Sequence, residues 1–275
     1  MATPEELGNL YRTGRLLPFV GAGVSASLSW GENGEQRCPS WGELVEHAAK
    51  LLGFEQPELA RLRGTDLQIL EFFRSKKESF AELRNWLGQT MNPPDDALGS
   101  SPIHQALAEL DNCRILYTTN FDDLLERSLG LLQGQPPRVV AVESQATGDR
   151  DEVEVVKFHG DLNHPDHMVV SESDYEDRLS FRAPMDHRFK GDFLNRVILF
   201  IGYSFRDPNV SYLFGQMNKD LGEFHSASGN RAFIIFPDPS DFEYELFRRR
   251  NIGVIPVTRS NITEDTAEVL RKIKG

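Results

Sequence analysis

Four short motifs set polar or titratable residues directly after apolar runs. The first, Gly21-Ala22-Gly23-Val24-Ser25-Ala26, follows Leu16 to Val20 and has the G-x-G-x-x-A form of a dinucleotide-binding turn. Glycines there allow close approach of a pyrophosphate, and the next helix start offers free N–H groups and a positive dipole end. The same string also fits a tight strand-to-helix turn that binds nothing. The second motif, Tyr117-Thr118-Thr119-Asn120-Phe121-Asp122-Asp123, carries an amide and two acids, though Asn120 or Asp122 equally suits a helix cap. The third, Val155-Val156-Lys157-Phe158-His159-Gly160-Asp161, delivers a histidine able to move a proton near neutral pH, with a glycine beside it that leaves room for a ligand. A structural, hydrogen-bonded histidine is the plainer alternative. The fourth runs from Leu199 through Gly202-Tyr203-Ser204-Phe205-Arg206-Asp207. Gly202 and Ser204 there suit ribose or phosphate, or else Ser204 and Asp207 close a turn on their own backbone.

What would bring these motifs together is a parallel sheet. Short apolar runs rich in branched and aromatic residues, each stopping at small or polar residues, predict buried strands flanked by helices. Strands are expected at Leu16 to Val20, Ile115 to Thr118, Arg138 to Val142, Val153 to Phe158, Val197 to Ile201, Ala232 to Phe236 and Gly253 to Val257. The expected fold is α/β and Rossmann-like, a mostly parallel sheet of six or seven strands with helices on both faces. In such a sheet the carboxyl ends of the strands face one ligand crevice, so all four motifs would open into it.

Between the first two strands the chain reads as helix for far longer than one crossover needs. Ser40-Trp41-Gly42-Glu43 is a capping box predicting a helix to about Leu52. Leu67, Leu70, Phe73, Phe80, Leu83 and Leu87 keep near-helical spacing up to Pro93-Pro94, and Pro102 suits the first turn of a helix over Ile103 to Leu110. We read residues 1–275 as a single domain with a helical insertion at about 40–112. The polar stretch from Ser171 to Arg196 is expected to hold short helices and a loop, placed to serve as a lid.

The 275 residues carry 42 acids against 30 bases, a formal charge of −12 that repels phosphate backbones, so direct nucleic-acid binding is not expected. Cys38 and Cys113 are isolated, which supports neither a disulfide framework nor a cysteine zinc site, and no metal is expected. The first ten residues lack a signal pattern, and no run approaches the roughly 18 apolar residues that span a bilayer. The reading is cytoplasmic, with no membrane association.

The ordered set Gly21-Ala22-Gly23-Val24-Ser25, Thr119-Asn120-Phe121-Asp122, His159-Gly160 and Gly202-Tyr203-Ser204 resembles the sirtuins, and most of all the bacterial sirtuin-like NADase branch. Pro39-Ser40-Trp41 and Ser171 to Tyr175 add to the likeness, which spans most of the chain. The resemblance implies NAD as substrate across the strand ends, cleaved at the nicotinamide ribose to nicotinamide and ADP-ribose. It implies Asn120 and His159 as catalytic residues, the amide holding the ribose and orienting water, the imidazole acting on a ribose hydroxyl or as general base. Gly21, Ala22, Gly23 and Ser25 would cradle the phosphates, with Thr118, Asp122, Gly202 and Ser204 lining the rest. Two departures separate the chain from the deacetylases. Cys38-Pro39-Ser40-Trp41-Gly42 stands where those enzymes carry Gly-Ile-Pro-Asp-Phe-Arg, and two cysteines cannot build their four-cysteine zinc module. Water is therefore the default acceptor. The branch also implies an effector role in antiphage defence, as a homo-oligomer or beside a partner such as a HerA-type ATPase or a short Argonaute. The alternative is a module that senses NAD or ADP-ribose without turnover; an oxidoreductase ranks last, since the ribose-gripping acid expected roughly 20 residues after the glycine turn would fall in the insertion.

Overall fold

In the computed structural model, residues 4–146, 152–178, 183–205, 207, 210–212, 214–216 and 230–275 are described. In chain order the strands are β1 Leu16–Val20, β2 Ser29–Trp30, β3 Gln36–Arg37, β4 Ile115–Thr118, β5 Arg138–Val140, β6 Glu154–Lys157, β7 Val197–Ile201, β8 Ala232–Pro237 and β9 Ile252–Val257. The helices are α1 Pro4–Arg12, α2 Ala22–Ala26, α3 Trp41–Leu51, α4 Asp66–Lys77, α5 Ala81–Thr90, α6 Asp95–Gly99, α7 Pro102–Ala108, α8 Leu124–Gln133, α9 Glu172–Arg178, α10 Pro184–Asn195, α11 Asp241–Arg248 and α12 Ile262–Lys274. Seven strands form one wholly parallel sheet in the order β5-β6-β4-β1-β7-β8-β9. The fold is thus the expected Rossmann-like α/β sheet. The chain starts at the centre, fills one side, then crosses back to fill the other, so the connections of β1 and β7 diverge and leave a crevice above the pair.

Both faces of the sheet are covered, as parallel strands require. On one face Val20, Leu116, Leu199 and Phe233 pack with α1, α7, α8 and α12 through Leu7, Ile103, Leu129 and Leu270. On the other, Phe19, Tyr117, Phe158 and Phe200 meet Phe189 and Phe193 of α10 and Phe247 of α11. Alternation along each strand sends successive side chains to opposite layers, and since both layers are dry nearly every position is apolar, Thr118, Arg138, Glu154 and Lys157 being the exceptions.

A separate apolar cluster joins α3, α4 and α5 through Val45, Ala48, Leu70, Phe73 and Leu83, and reaches Met168 and Val170 beyond the histidine motif. The capping box at Ser40 forms as expected, Ser40 accepting from the Glu43 N–H and Glu43 returning to the Ser40 N–H. The Leu67 to Leu87 periodicity is broken into α4 and α5. Glu78 turns left-handed, with φ 59°, and caps α4. Phe73 and Phe80 still stack across the break, with centroids 6.1 Å apart, so the apolar rhythm persists because both sides of the turn face one core. Helix α7 belongs instead to the layer on the sheet, packing on α8 and α12. Ser171 to Arg196 holds α9 and α10, with 179–182 outside the described residues. Among the described residues no helix is long and apolar enough to cross a membrane.

Candidate active site

Register places the four motifs at one height. Val20 pairs with both Thr118 and Ile201, and Thr118 pairs with Lys157, so β1, β4, β6 and β7 all release their chains at the same edge. The loops after these strands then share one crevice.

The glycine turn is shaped first by packing. Gly21 donates to Ile201 O at 2.9 Å and Gly23 to Gly202 O at 2.8 Å, stitching the turn to the end of β7. A Cβ on Gly21 would lie 2.6 Å from Gly202 O, and one on Gly23 would lie 2.7 Å from the same oxygen. Gly202 returns the constraint, because its φ is +61° and its Cβ would lie 2.6 Å from Val24 N. Three glycines therefore interlock, and no side chain larger than hydrogen fits between the two loops. Ala22 and Gly23 remain at the cavity wall.

Asn120 is held from behind by a buried chain of hydrogen bonds. Its N–H donates to Thr118 Oγ1 at 3.0 Å, and its side-chain Nδ2 donates to Ser25 Oγ at 3.0 Å. Ser25 Oγ donates in turn to Asp122 Oδ2 at 2.9 Å, while Asp122 Oδ1 accepts from Leu124 N at 3.2 Å and so also caps α8. Burial pushes the Asp122 carboxyl up from its ordinary range; the Lys157 charge, Ser25 and the Leu124 N–H hold it down. A carboxylate only accepts, so the Ser25 proton goes to Asp122 and its lone pair takes the Asn120 NH2. The amide orientation follows, leaving Asn120 Oδ1 buried with no hydrogen-bond partner among the described residues. Lys157, its side chain fully buried, donates to the Asp122 carbonyl and to Glu126 Oε1 at 3.0 Å, pinning the same loop from below.

His159 is 2 % exposed, and burial lowers its pKa to about 4, the Asp207 carboxylate opposing that shift. The ring is therefore neutral at pH 7. Tyr175 OH lies 3.5 Å from Nδ1, and Asp207 Oδ2 lies 3.4 Å from Nε2 outside hydrogen-bond alignment. Gly160, with φ +73°, lets the chain turn against His167, whose carbonyl oxygen a Cβ would meet at 2.5 Å. That space is filled by backbone, so the glycine serves the turn rather than leaving room beside the imidazole.

These side chains surround one cavity of about 950 Å³, at the upper end of small-molecule sites. Of the sequence-predicted residues, Ala22, Gly23, Asn120, Asp122, His159, Gly202 and Ser204 line it, and Gly21, Ser25 and Thr118 stand behind the lining as supports. Arg206 of the fourth motif lies outside the described residues. Sequence reasoning missed Tyr175, Tyr203 and Asp207 as neighbours of the imidazole, and Trp41, Arg61 and Met91 as the wall supplied by the helical module. Lys157 did carry a signal, since a lysine inside a buried apolar strand must find a partner. Both cysteines are buried free thiols, raised to about 12 by burial, and no group of three His, Cys, Asp or Glu among the described residues is placed to hold a metal ion.

A parallel sheet with a glycine turn, an amide and a histidine around one crevice at its strand ends places the chain in the class of Rossmann-like α/β domains. Residues 114–255, about half of the chain, match the SIR2-like domain family, and the chain belongs to it. It is similar to NAD(+) hydrolase ThsA of Acinetobacter baumannii, 33% identical over 243 residues covering 84% of this chain and 46% of that protein. The protein of the same name from Bacillus cereus is 25% identical over 274 residues, 94% of this chain and 53% of its own length. Defense-associated sirtuin 2 of Bacillus subtilis is 25% identical over 248 residues, 88% of this chain and 22% of its own. The chain spans about half the length of the NAD(+) hydrolases it matches.

Proposed function

We propose that this chain hydrolyses NAD at the bond between nicotinamide and ribose, giving nicotinamide and ADP-ribose. The observation that carries the reading is that Asn120 Oδ1 and His159 Nε2, both buried and both without a hydrogen-bond partner among the described residues, line one cavity at the ends of adjacent strands. Buried acceptors left open are costly, and a hydroxylated ligand or an ordered water relieves the cost. NAD fits the same crevice at the glycine turn, where Ala22 and Gly23 would lie against the pyrophosphate and Gly202 and Ser204 beside the sugar.

Nicotinamide leaves NAD as a neutral base, so the C1′–N bond pair goes to the ring nitrogen and positive charge develops on the ribose. Asn120 Oδ1, fixed through Ser25, offers a preorganised negative dipole to that charge or to the attacking water. Water forms the new C1′–O bond, and its proton passes to His159, neutral at working pH, or to solvent. The relatives named as NAD(+) hydrolases support the same reaction. The relative named defense-associated sirtuin supports a role in defence. On the resemblance of the motifs we extend that role to antiphage defence in the cytoplasm, as a homo-oligomer or with a partner subunit such as a HerA-type ATPase or a short Argonaute. The test is nicotinamide release from NAD by the purified chain, with Asn120→Ala abolishing it while the melting curve stays native. Full release by that variant would refute the assignment.

A further inference from the structure

The two oxygens of Asp207 have different neighbours. Oδ1 accepts from Val210 N at 3.1 Å, whereas Oδ2 lies 3.4 Å from His159 Nε2 at the cavity wall. Tyr175 OH is 3.5 Å from His159 Nδ1, and burial, with the Asp207 carboxylate nearby, raises the phenol's pKa well above its ordinary value. The phenol is the partner of Nδ1, and where its oxygen takes Nδ1–H the free ring nitrogen is Nε2. Nε2 then carries the lone pair. Asp207 Oδ2 is close to it but out of line for a hydrogen bond, so Nε2 has no partner among the described residues. Tyr203 OH, buried on the same wall, also lacks a partner among the described residues. Nε2 and Asp207 Oδ2 are thus neighbouring acceptors at the cavity wall, and side-by-side donors are what the cis hydroxyls of a ribose carry.

We propose that Asp207 contacts the substrate, its Oδ2 and His159 Nε2 together accepting hydrogen bonds from the vicinal 2′- and 3′-hydroxyls of the nicotinamide-side ribose. This rests on the NAD hydrolase reading and adds to it a residue that selects for an intact diol. Hydrogen bonds from sugar hydroxyls to a carboxylate strengthen as positive charge develops at the anomeric carbon, so the grip also serves the reaction.

The experiment compares the wild-type chain with Asp207→Asn, which keeps the side-chain shape and an acceptor for the Val210 N–H but removes the charge, with a thermal melt confirming that it folds. ADP-ribose and AMP affinities are measured by calorimetry, and nicotinamide release is measured with NAD and with analogues lacking the 2′- or the 3′-hydroxyl of the nicotinamide ribose. Asp207→Asn is expected to weaken ADP-ribose and to lower kcat/KM for NAD by about 10- to 100-fold, the range for a hydrogen bond to a charged group. AMP affinity stays unchanged, and on one deoxy analogue the two proteins agree within about twofold. A loss that persists on both analogues, or an AMP affinity that falls in step, overturns the diol grip. Nicotinamide release insensitive to Asp207→Asn also overturns the grip and leaves the hydrolase reading standing. Asp207-dependent ADP-ribose binding without any release by the wild type supports the grip and overturns the hydrolase reading.

Discussion

Lys157→Met should expose how much the catalytic loop depends on one buried charge. The Lys157 side chain is fully buried in β6, and Nζ donates to Glu126 Oε1 at 3.0 Å and to the carbonyl of Asp122, two residues from Asn120. Glu126 is itself buried, which raises its pKa against the pull of Lys157, and its Oε2 has no partner among the described residues. Removing one member of a buried ion pair leaves the other uncompensated, a cost of about 3–5 kcal/mol. Each kcal/mol lowers the melting temperature of a domain this size by about 2–4 °C, so Lys157→Met should melt roughly 6–20 °C lower. Replacing both partners with apolar residues removes the stranded charge. Lys157→Met with Glu126→Leu should therefore recover most of the loss, short by about 1–2 kcal/mol for the Asp122 carbonyl left without its donor. The assay is denaturant unfolding of the wild type, both single variants and the double variant at pH 7. A single variant within about 1 kcal/mol of wild type, or a double variant as unstable as the sum of the singles, would refute the reasoning.

Ser25→Ala removes the hydroxyl that joins Asn120 to Asp122; nicotinamide release should fall about tenfold or more through kcat, whereas an unchanged kcat would show that the amide holds its orientation unaided. Gly202→Ala forces a Cβ to 2.6 Å from Val24 N at a φ of +61°, and should lower stability by more than about 1–2 kcal/mol in a urea titration, a neutral result contradicting the glycine interlock. His104, buried beside Ser101 in α7, has its pKa lowered to about 4 by burial. The unfolded chain then binds this proton first, so the stability tied to neutral His104 is present above about pH 6.5 and lost as pH falls toward about 4, by roughly 3 kcal/mol. The difference in unfolding free energy between wild type and His104→Gln should shrink across that window, and a constant difference would contradict the burial argument.

The seven strands of the sheet were legible because a parallel strand with both faces covered has few polar positions, and each run ended in a loop-forming residue. Val153 and Phe158 lie just outside β6, although Val153 O still accepts from Arg138 N and Phe158 N still donates to Thr118 O. The hairpin of β2 and β3 escaped notice because its strands are two residues long, largely exposed and polar. Helix α1 was hidden in an acidic terminus, although Leu7, Leu10 and Tyr11 mark one buried face at helical spacing. That Asn120 and His159 would reach the same crevice was readable because each lies two residues beyond the end of a strand. The grouping of Tyr175, Tyr203 and Asp207 around the imidazole was not, since it depends on α9 and the loop after β7 folding back over β6. The glycine turn was legible as a turn; that its glycines are required by packing against Gly202 emerges only from the spacing between two loops distant in sequence.

The central claim is that Asn120 and His159 act on one sugar, and the most direct measurement is kcat/KM for nicotinamide release by Asn120→Ala, His159→Ala and the double variant. Groups that serve the same bond-breaking event act as a unit, so each single change should cost about as much as both together. Either single variant retaining wild-type turnover, or a double variant whose loss is the full product of the two, would contradict the account.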